Sequence, residues 1–348
     1  MIDRCDNPWR GRGLAIDAPW PCEDAGAVAQ LLALCPAHAP TPLRDSKDLA
    51  GRAGVAHVHV KDERGRMGLG SFKALGAAHA IAREAALAVQ GAGWDKALTG
   101  RAYVTASAGN HGLSVAAGAR LFGARAIIYL ADTVPQAFAA RLEATGAQVM
   151  REGATYEDSM AAAEQAARQH GWTLLSDSSW PGYTELPGLV MEGYLQLAAE
   201  AADQIDAPPT HILLQAGVGG MAAAVAALAR ARWGDGPQII VVEPAAAPAL
   251  IDSIRAGRLV DSQGPVSNMG RLDCKTASMI ALKGLSRDAD VFVTISDEQA
   301  AAGAAILADC GLATTPSGGA GLSALLAGLD LGPEARVLAI LSEGPEDA

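Results

Sequence analysis

From residue 57 onward the chain alternates short runs of apolar, β-forming residues with longer Ala-rich stretches whose apolar positions recur at helical spacing. The runs at 57–61, 103–106, 126–130, 148–151, 173–176, 212–215, 239–243, 291–295 and 337–341 read as strands. Between them, 71–89, 110–122, 135–145, 156–170, 186–202, 221–232, 297–309 and 318–328 read as helices. Strand, helix and strand in regular succession imply parallel strands joined by right-handed crossovers, an α/β fold. Nine strands are many for one open sheet, so two open, twisted, mainly parallel sheets in two domains are expected. Binding sites then belong in the crevice at the carboxyl ends of the strands. Only the first 50 residues lack this rhythm.

Composition narrows the field. Of 348 residues half are hydrophobic and 19% charged, enough apolar material for a full core. Twenty-seven basic against 38 acidic residues give a net charge of −11, with no basic cluster, which argues against nucleic acid or an anionic membrane as a partner. The cysteines Cys5, Cys22, Cys35, Cys274 and Cys310 are odd in number and scattered, so neither a disulfide framework nor a zinc knuckle is indicated. A reducing cytoplasm is the expected setting. No signal peptide or spanning apolar segment is read in the chain. His57 and His59 alternate on one strand face, but no further ligand spacing accompanies them, and no metal site is expected.

Three motifs carry chemistry. Gly68, Gly70, Ser71, Phe72 and Lys73 form a glycine-rich turn that opens a helix with a lysine in its first turn. The macrodipole there disfavours a cation, so a buried Lys73 would more readily lose its proton and act as a nucleophile; the alternative is a solvated helix lysine. Next, Thr105 to Gly112 connects a strand to a helix through Ser107, Ala108, Gly109, Asn110 and His111, a turn whose backbone N–H groups suit a carboxylate or phosphate. Finally, Gly217, Val218, Gly219, Gly220 and Met221 follow another strand. Their glycines let backbone close around an anion, yet the segment lacks the Lys and Ser/Thr of a Walker loop and the complete dinucleotide fingerprint.

In order and spacing these motifs resemble those of fold-type II enzymes that use pyridoxal phosphate. The resemblance implies a larger domain of residues 1–74 and 186–348, with a smaller one of 75–185 inserted in it. It makes Lys73 the lysine that binds the cofactor aldehyde and sets Asn110 against the phenolic oxygen. Gly217, Val218, Gly219, Gly220 and Met221 wrap the phosphate, and Ser342 meets the pyridine nitrogen. Ser107, Gly109, Asn110 and His111 hold the substrate carboxylate.

Within that group the chain is most similar to the diaminopropionate ammonia-lyases. The similarity runs from Ala39, Pro40, Thr41, Pro42 and Leu43 through Asp177, Trp180, Gly182 and Tyr183 to Ser267–Cys274 and to Ser342, Glu343 and Gly344. It implies a small amino-acid substrate, α,β-elimination of ammonia, and a homodimer. Asp177 becomes the candidate for gripping a β-ammonium or assisting its departure. One position departs: where those lyases carry an acid that acts on the cofactor face opposite the lysine, this chain has Ala108. Some threonine dehydratases also have alanine there. A serine, threonine or 3-hydroxyaspartate dehydratase, or a non-catalytic small-molecule binder on the same fold, therefore stands as an alternative.

Overall fold

The computed structural model describes residues 2–35, 37–89 and 93–345. Its strands are β1 Asp3–Asp6, β2 Leu43–Asp45, β3 His57–Asp62, β4 Ala102–Ala106, β5 Arg125–Leu130, β6 Gln148–Arg151, β7 Thr173–Leu174, β8 His211–Gln215, β9 Gln238–Pro244, β10 Val291–Ile295 and β11 Arg336–Leu341. They build a seven-stranded sheet in the order β1-β10-β9-β8-β11-β3-β2 and a four-stranded sheet in the order β6-β5-β4-β7. The smaller sheet is wholly parallel; in the larger one, only the edge strands β1 and β2 pair antiparallel. This is the α/β architecture with two mainly parallel sheets that the strand and helix rhythm predicts.

Interior strands can be continuous apolar runs because helices cover both of their faces. Every side chain from Val337 to Leu341 on β11 is buried. The helix Gly220–Trp233 is equally submerged, with Gly220 to Ala229 all buried and mostly small, which lets it lie close to its neighbours.

All nine expected strands are present, with boundaries moved by no more than two residues. The additional strands β1 and β2 read Asp-Arg-Cys-Asp and Leu-Arg-Asp; as edges, largely open to solvent, they lack the apolar signature of interior strands. The helices Gly26–Leu32, Lys47–Ala53, Ala249–Ala256 and Met279–Asp288 were also not anticipated. The expected helix at 186–202 is two helices, Glu185–Gly193 and Leu195–Gln204. At the junction Gly193 sits so close to the Leu75 carbonyl that a Cβ would lie 2.5 Å from its oxygen.

Beneath the inner end of β2 lies a buried ionic network. Lys61 Nζ donates to Glu200 at 2.7 Å, to the Thr41 carbonyl at 2.7 Å and to Gln204 at 3.0 Å. Arg66 joins Glu63 and Glu200 through four hydrogen bonds of 2.7–2.9 Å. Burial alone would raise the Glu200 carboxyl, but the Arg66 guanidinium and the Lys61 ammonium bring it down to about 2.

Candidate active site

The segments singled out in the sequence all emerge from carboxyl ends of strands. The Lys73 turn follows β3, the glycine segment follows β8, Ser342 follows β11, the loop 107–109 follows β4, and Asp177 lies just beyond β7. Because β11 inserts between β8 and β3, the last strand of the chain delivers Ser342 beside the lysine turn. There the Phe72 N–H donates to the Ser342 carbonyl at 3.0 Å, and the Gly344 N–H donates to Gly70 at 3.0 Å.

Lys73 Nζ lies 2.5 Å from Asp177 Oδ2, with the two side chains 21% and 16% exposed. Both are thus mostly desolvated yet not closed off from solvent. Burial would raise the Asp177 carboxyl, but the ammonium of Lys73 overrides it and holds Asp177 well below the ordinary carboxylate range. Around this pair the Ser71 and Tyr194 hydroxyls are buried without hydrogen-bond partners among the described residues. Orphaned polar groups of this kind mark a place shaped for another molecule.

The glycine segment turns sharply into the helix Gly220–Trp233. Gly219 has φ +98°, a conformation that side-chain-bearing residues rarely adopt. A Cβ on Gly217 would stand 3.0 Å from both Cys274 Sγ and Leu272 Cα, so the chain of 271–274 packs directly upon it. Among the described residues, the amides of Gly219, Gly220 and Met221 have no protein acceptor, leaving three N–H groups at a helix N-terminus. Asp177 is adjacent: its carbonyl oxygen lies 3.9 Å from where a Gly220 Cβ would be.

On the opposite wall, Asn110 donates to Glu343, which also accepts from Thr315 and, at 2.9 Å, from Arg271 Nε. A cleft of about 440 Å³ lined by Gly70, Asn110, Arg141, Arg271 and Glu343 opens here. The Ser107 hydroxyl accepts from the Gly109 and Gly112 amides at 3.3 and 3.0 Å and so shapes its own loop. His111 is buried, its Nε2 2.8 Å from the Leu175 carbonyl, and its ring lies near enough to Lys73 and Asp177 to feel both charges. Ala108 is exposed on the same loop.

Arg271, Glu343, Thr315, Cys274, Tyr194 and Tyr156 were given no role from sequence, although several sit within the segments that carry the resemblance. Burial pushes the Cys274 thiol up to about 11. Desolvation, with Asp177 and Cys274, also raises the hydroxyl of Tyr156, the half-exposed first residue of the helix Tyr156–His170.

A lysine with one partner, three free amides at a helix start and two orphan hydroxyls fit a phosphorylated aldehyde. Residues 34–343 match the family model described as pyridoxal-phosphate dependent enzyme. The chain belongs to the pyridoxal-phosphate-dependent enzymes. It is 34% identical over 338 residues to the diaminopropionate ammonia-lyase of Escherichia coli K12, covering 88% of this chain and 85% of that relative. It is 29% identical over 307 residues to a serine dehydratase-like protein of Mus musculus, covering 87% of each. The crystal structure of the E. coli diaminopropionate ammonia-lyase in complex with an aminoacrylate-PLP azomethine reaction intermediate superposes with a TM-score of 0.87 at 30% identity, over 99% of this chain and 94% of that one. At family level the chain is therefore a fold-type II pyridoxal-phosphate ammonia-lyase, and its cofactor is pyridoxal phosphate. No helix among the described residues is long and apolar enough to cross a membrane.

Proposed function

We propose that this enzyme eliminates ammonia from L-2,3-diaminopropionate, giving pyruvate and two molecules of ammonia. The observation that carries this reading is Asp177, an ionised carboxylate 2.5 Å from Lys73 Nζ in a desolvated cleft. A fixed carboxylate pairs strongly with a β-ammonium, whereas a substrate hydroxyl offers it only a neutral hydrogen bond.

Pyridoxal phosphate, when bound, supplies an aldehyde that captures amines and a ring that accepts an electron pair from the α-carbon. The protein's own groups divide the remaining work. Lys73 binds the aldehyde and, once displaced by the substrate amine, takes the α-proton at Nζ. The amides of Gly219, Gly220 and Met221 receive the phosphate, with Gly217 and Val218 bringing the backbone to it. Asn110, whose side-chain amide donates to Glu343, would hold the cofactor's phenolic oxygen. Ser342 faces the ring nitrogen as a neutral partner, and the loop 107–111 binds the substrate carboxylate through backbone N–H groups. Asp177 holds the β-ammonium and assists its departure as ammonia. We further assign residues 1–74 with 186–348 and residues 75–185 to two domains, a homodimer as the working form, and the cytoplasm as its location.

The deciding experiment is a substrate screen of the holoenzyme in which 2-oxo acid and ammonia are both quantified. Two ammonia per pyruvate, with diaminopropionate preferred over serine and threonine, is the expected result. A second reading rests on Ala108: without an acid on that loop the site also suits a serine, threonine or 3-hydroxyaspartate dehydratase. One ammonia per oxo acid from a hydroxy amino acid, with diaminopropionate ignored, would establish that reading instead.

A further inference from the structure

At the opposite end of β3 from the lysine turn, three potential metal donors converge. Strand geometry sets His57 and His59 on one face, while Val58 and Val60 of the other face are fully buried. The third donor comes from the neighbouring strand: β2 runs antiparallel to β3 with Asp45 directly opposite His59. One ligand atom from each of Asp45, His57 and His59 lies within 4.8 Å of the others. His57 Nδ1 and Asp45 Oδ2 are 3.3 Å apart. Two donors about 2.0–2.1 Å from one tetrahedral ion stand roughly 3.3–3.4 Å apart, so this pair, which forms a hydrogen bond without an ion, needs little movement to share one.

We propose that Asp45, His57 and His59 bind one divalent transition-metal ion of the zinc class, clasping the edge strand β2 to β3. Two imidazoles and one carboxylate, with no thiolate, suit Zn²⁺, Co²⁺, Ni²⁺ or Cu²⁺ rather than Ca²⁺ or Mg²⁺. Three protein ligands leave a coordination position for water. Among the described residues His59 Nδ1 is shut from solvent with no full hydrogen bond, although the ring lies close to the Val337 backbone. The three-residue strand β2 leads directly into the helix Lys47–Ala53, so an ion here would secure the start of that connection as well as the sheet edge. Its role is structural and separate from the elimination chemistry.

The test uses the holoenzyme after chelator treatment and dialysis, titrated with Co²⁺ followed by visible absorption and with Zn²⁺ by calorimetry. One ion per chain is expected, with micromolar or tighter affinity and a rise in Tm for the wild-type protein. His59→Ala and Asp45→Asn should each weaken binding at least ~10–100-fold, the range seen when even outer-shell partners are removed. The cofactor's visible absorbance should be unchanged in both, showing that the fold and the active site persist; Asp45→Asn, an exposed isosteric change, carries the test if His59→Ala does not fold. No saturable binding tighter than about 1 mM, unaltered affinity in Asp45→Asn, or binding abolished by Cys22→Ser instead, would overturn the proposal.

Discussion

Lys61 and Lys73 both meet a carboxylate at hydrogen-bond distance within the protein, yet their surroundings differ throughout. Lys61 is wholly buried and uses its three N–H bonds on Glu200, Thr41 and Gln204. Its partner Glu200 is in turn joined to Arg66. Among the described residues the Lys73 ammonium bonds Asp177 alone; it is partly exposed and has the unpartnered Ser71 and Tyr194 hydroxyls beside it. In the Lys61 network each charge is matched by protein groups, which fixes geometry, although Gln196 Oε1 and His38 Nδ1 beside Glu200 have no partner among the described residues. An unsaturated pair is poised to exchange its partner for a ligand, which is what the role proposed for Lys73, binding and releasing an aldehyde, requires. The same two functional groups therefore serve architecture at one place and chemistry at the other, and the count of satisfied donors tells them apart.

The sharpest way to break this comparison is to remove each lysine's function in turn. Lys73→Ala should abolish the cofactor's visible absorbance and lower turnover by at least ~10²–10⁴-fold, about 3–5 kcal/mol of barrier, while Tm changes little. Full pyruvate release by that variant would end the assignment.

The buried network should respond in the opposite sense. Glu200→Gln leaves Lys61 and Arg66 under-compensated and is expected to cost about 3–5 kcal/mol of stability, read by denaturant unfolding, with kcat of the folded fraction retained. The same carboxylate gives a pH signature. Its pKa is about 2 in the folded protein against an ordinary 4.5, so its contribution is present above pH 4.5 and disappears as pH falls toward 2. The wild-type protein should thereby lose about 3 kcal/mol across that window, and Glu200→Gln should flatten the loss. An identical acid limb in both proteins would show that the network is not the source.

Asp177→Asn belongs to the other class. It should reduce diaminopropionate turnover about tenfold more than serine turnover, with stability within about 1 kcal/mol of wild type. Equal losses on both substrates would favour the dehydratase reading. The smallest effect is expected from Ala108→Asp, an exposed loop change of about 0.5 kcal/mol or less in stability. If Lys73 serves one face of the cofactor and the L-isomer, as proposed, an acid at 108 should raise the turnover of D-2,3-diaminopropionate. A folded, cofactor-loaded variant with no such gain would leave the second face without a base.

The sequence by itself determined the parts whose causes are local. Apolar runs of β-forming residues marked the interior strands, and glycine turns between strand and helix marked the segments around Lys73, Asn110 and Gly219, because backbone conformation and burial follow from neighbouring residues. The edge strands β1 and β2 escaped that reading because their polar sequences are stabilised by a pairing partner rather than by an apolar face. Only the tertiary structure decided which distant residues share a surface. Lys61 meets Glu200 across 139 residues of chain, and Asn110 meets Glu343 across 233. Asp45 completes the His57 and His59 face through antiparallel register, and β11 enters between β3 and β8 through the packing of the whole sheet. Hydrophobic periodicity specifies which face of an element is buried, but not which partner it is buried against; that choice depends on the fit of all the elements together.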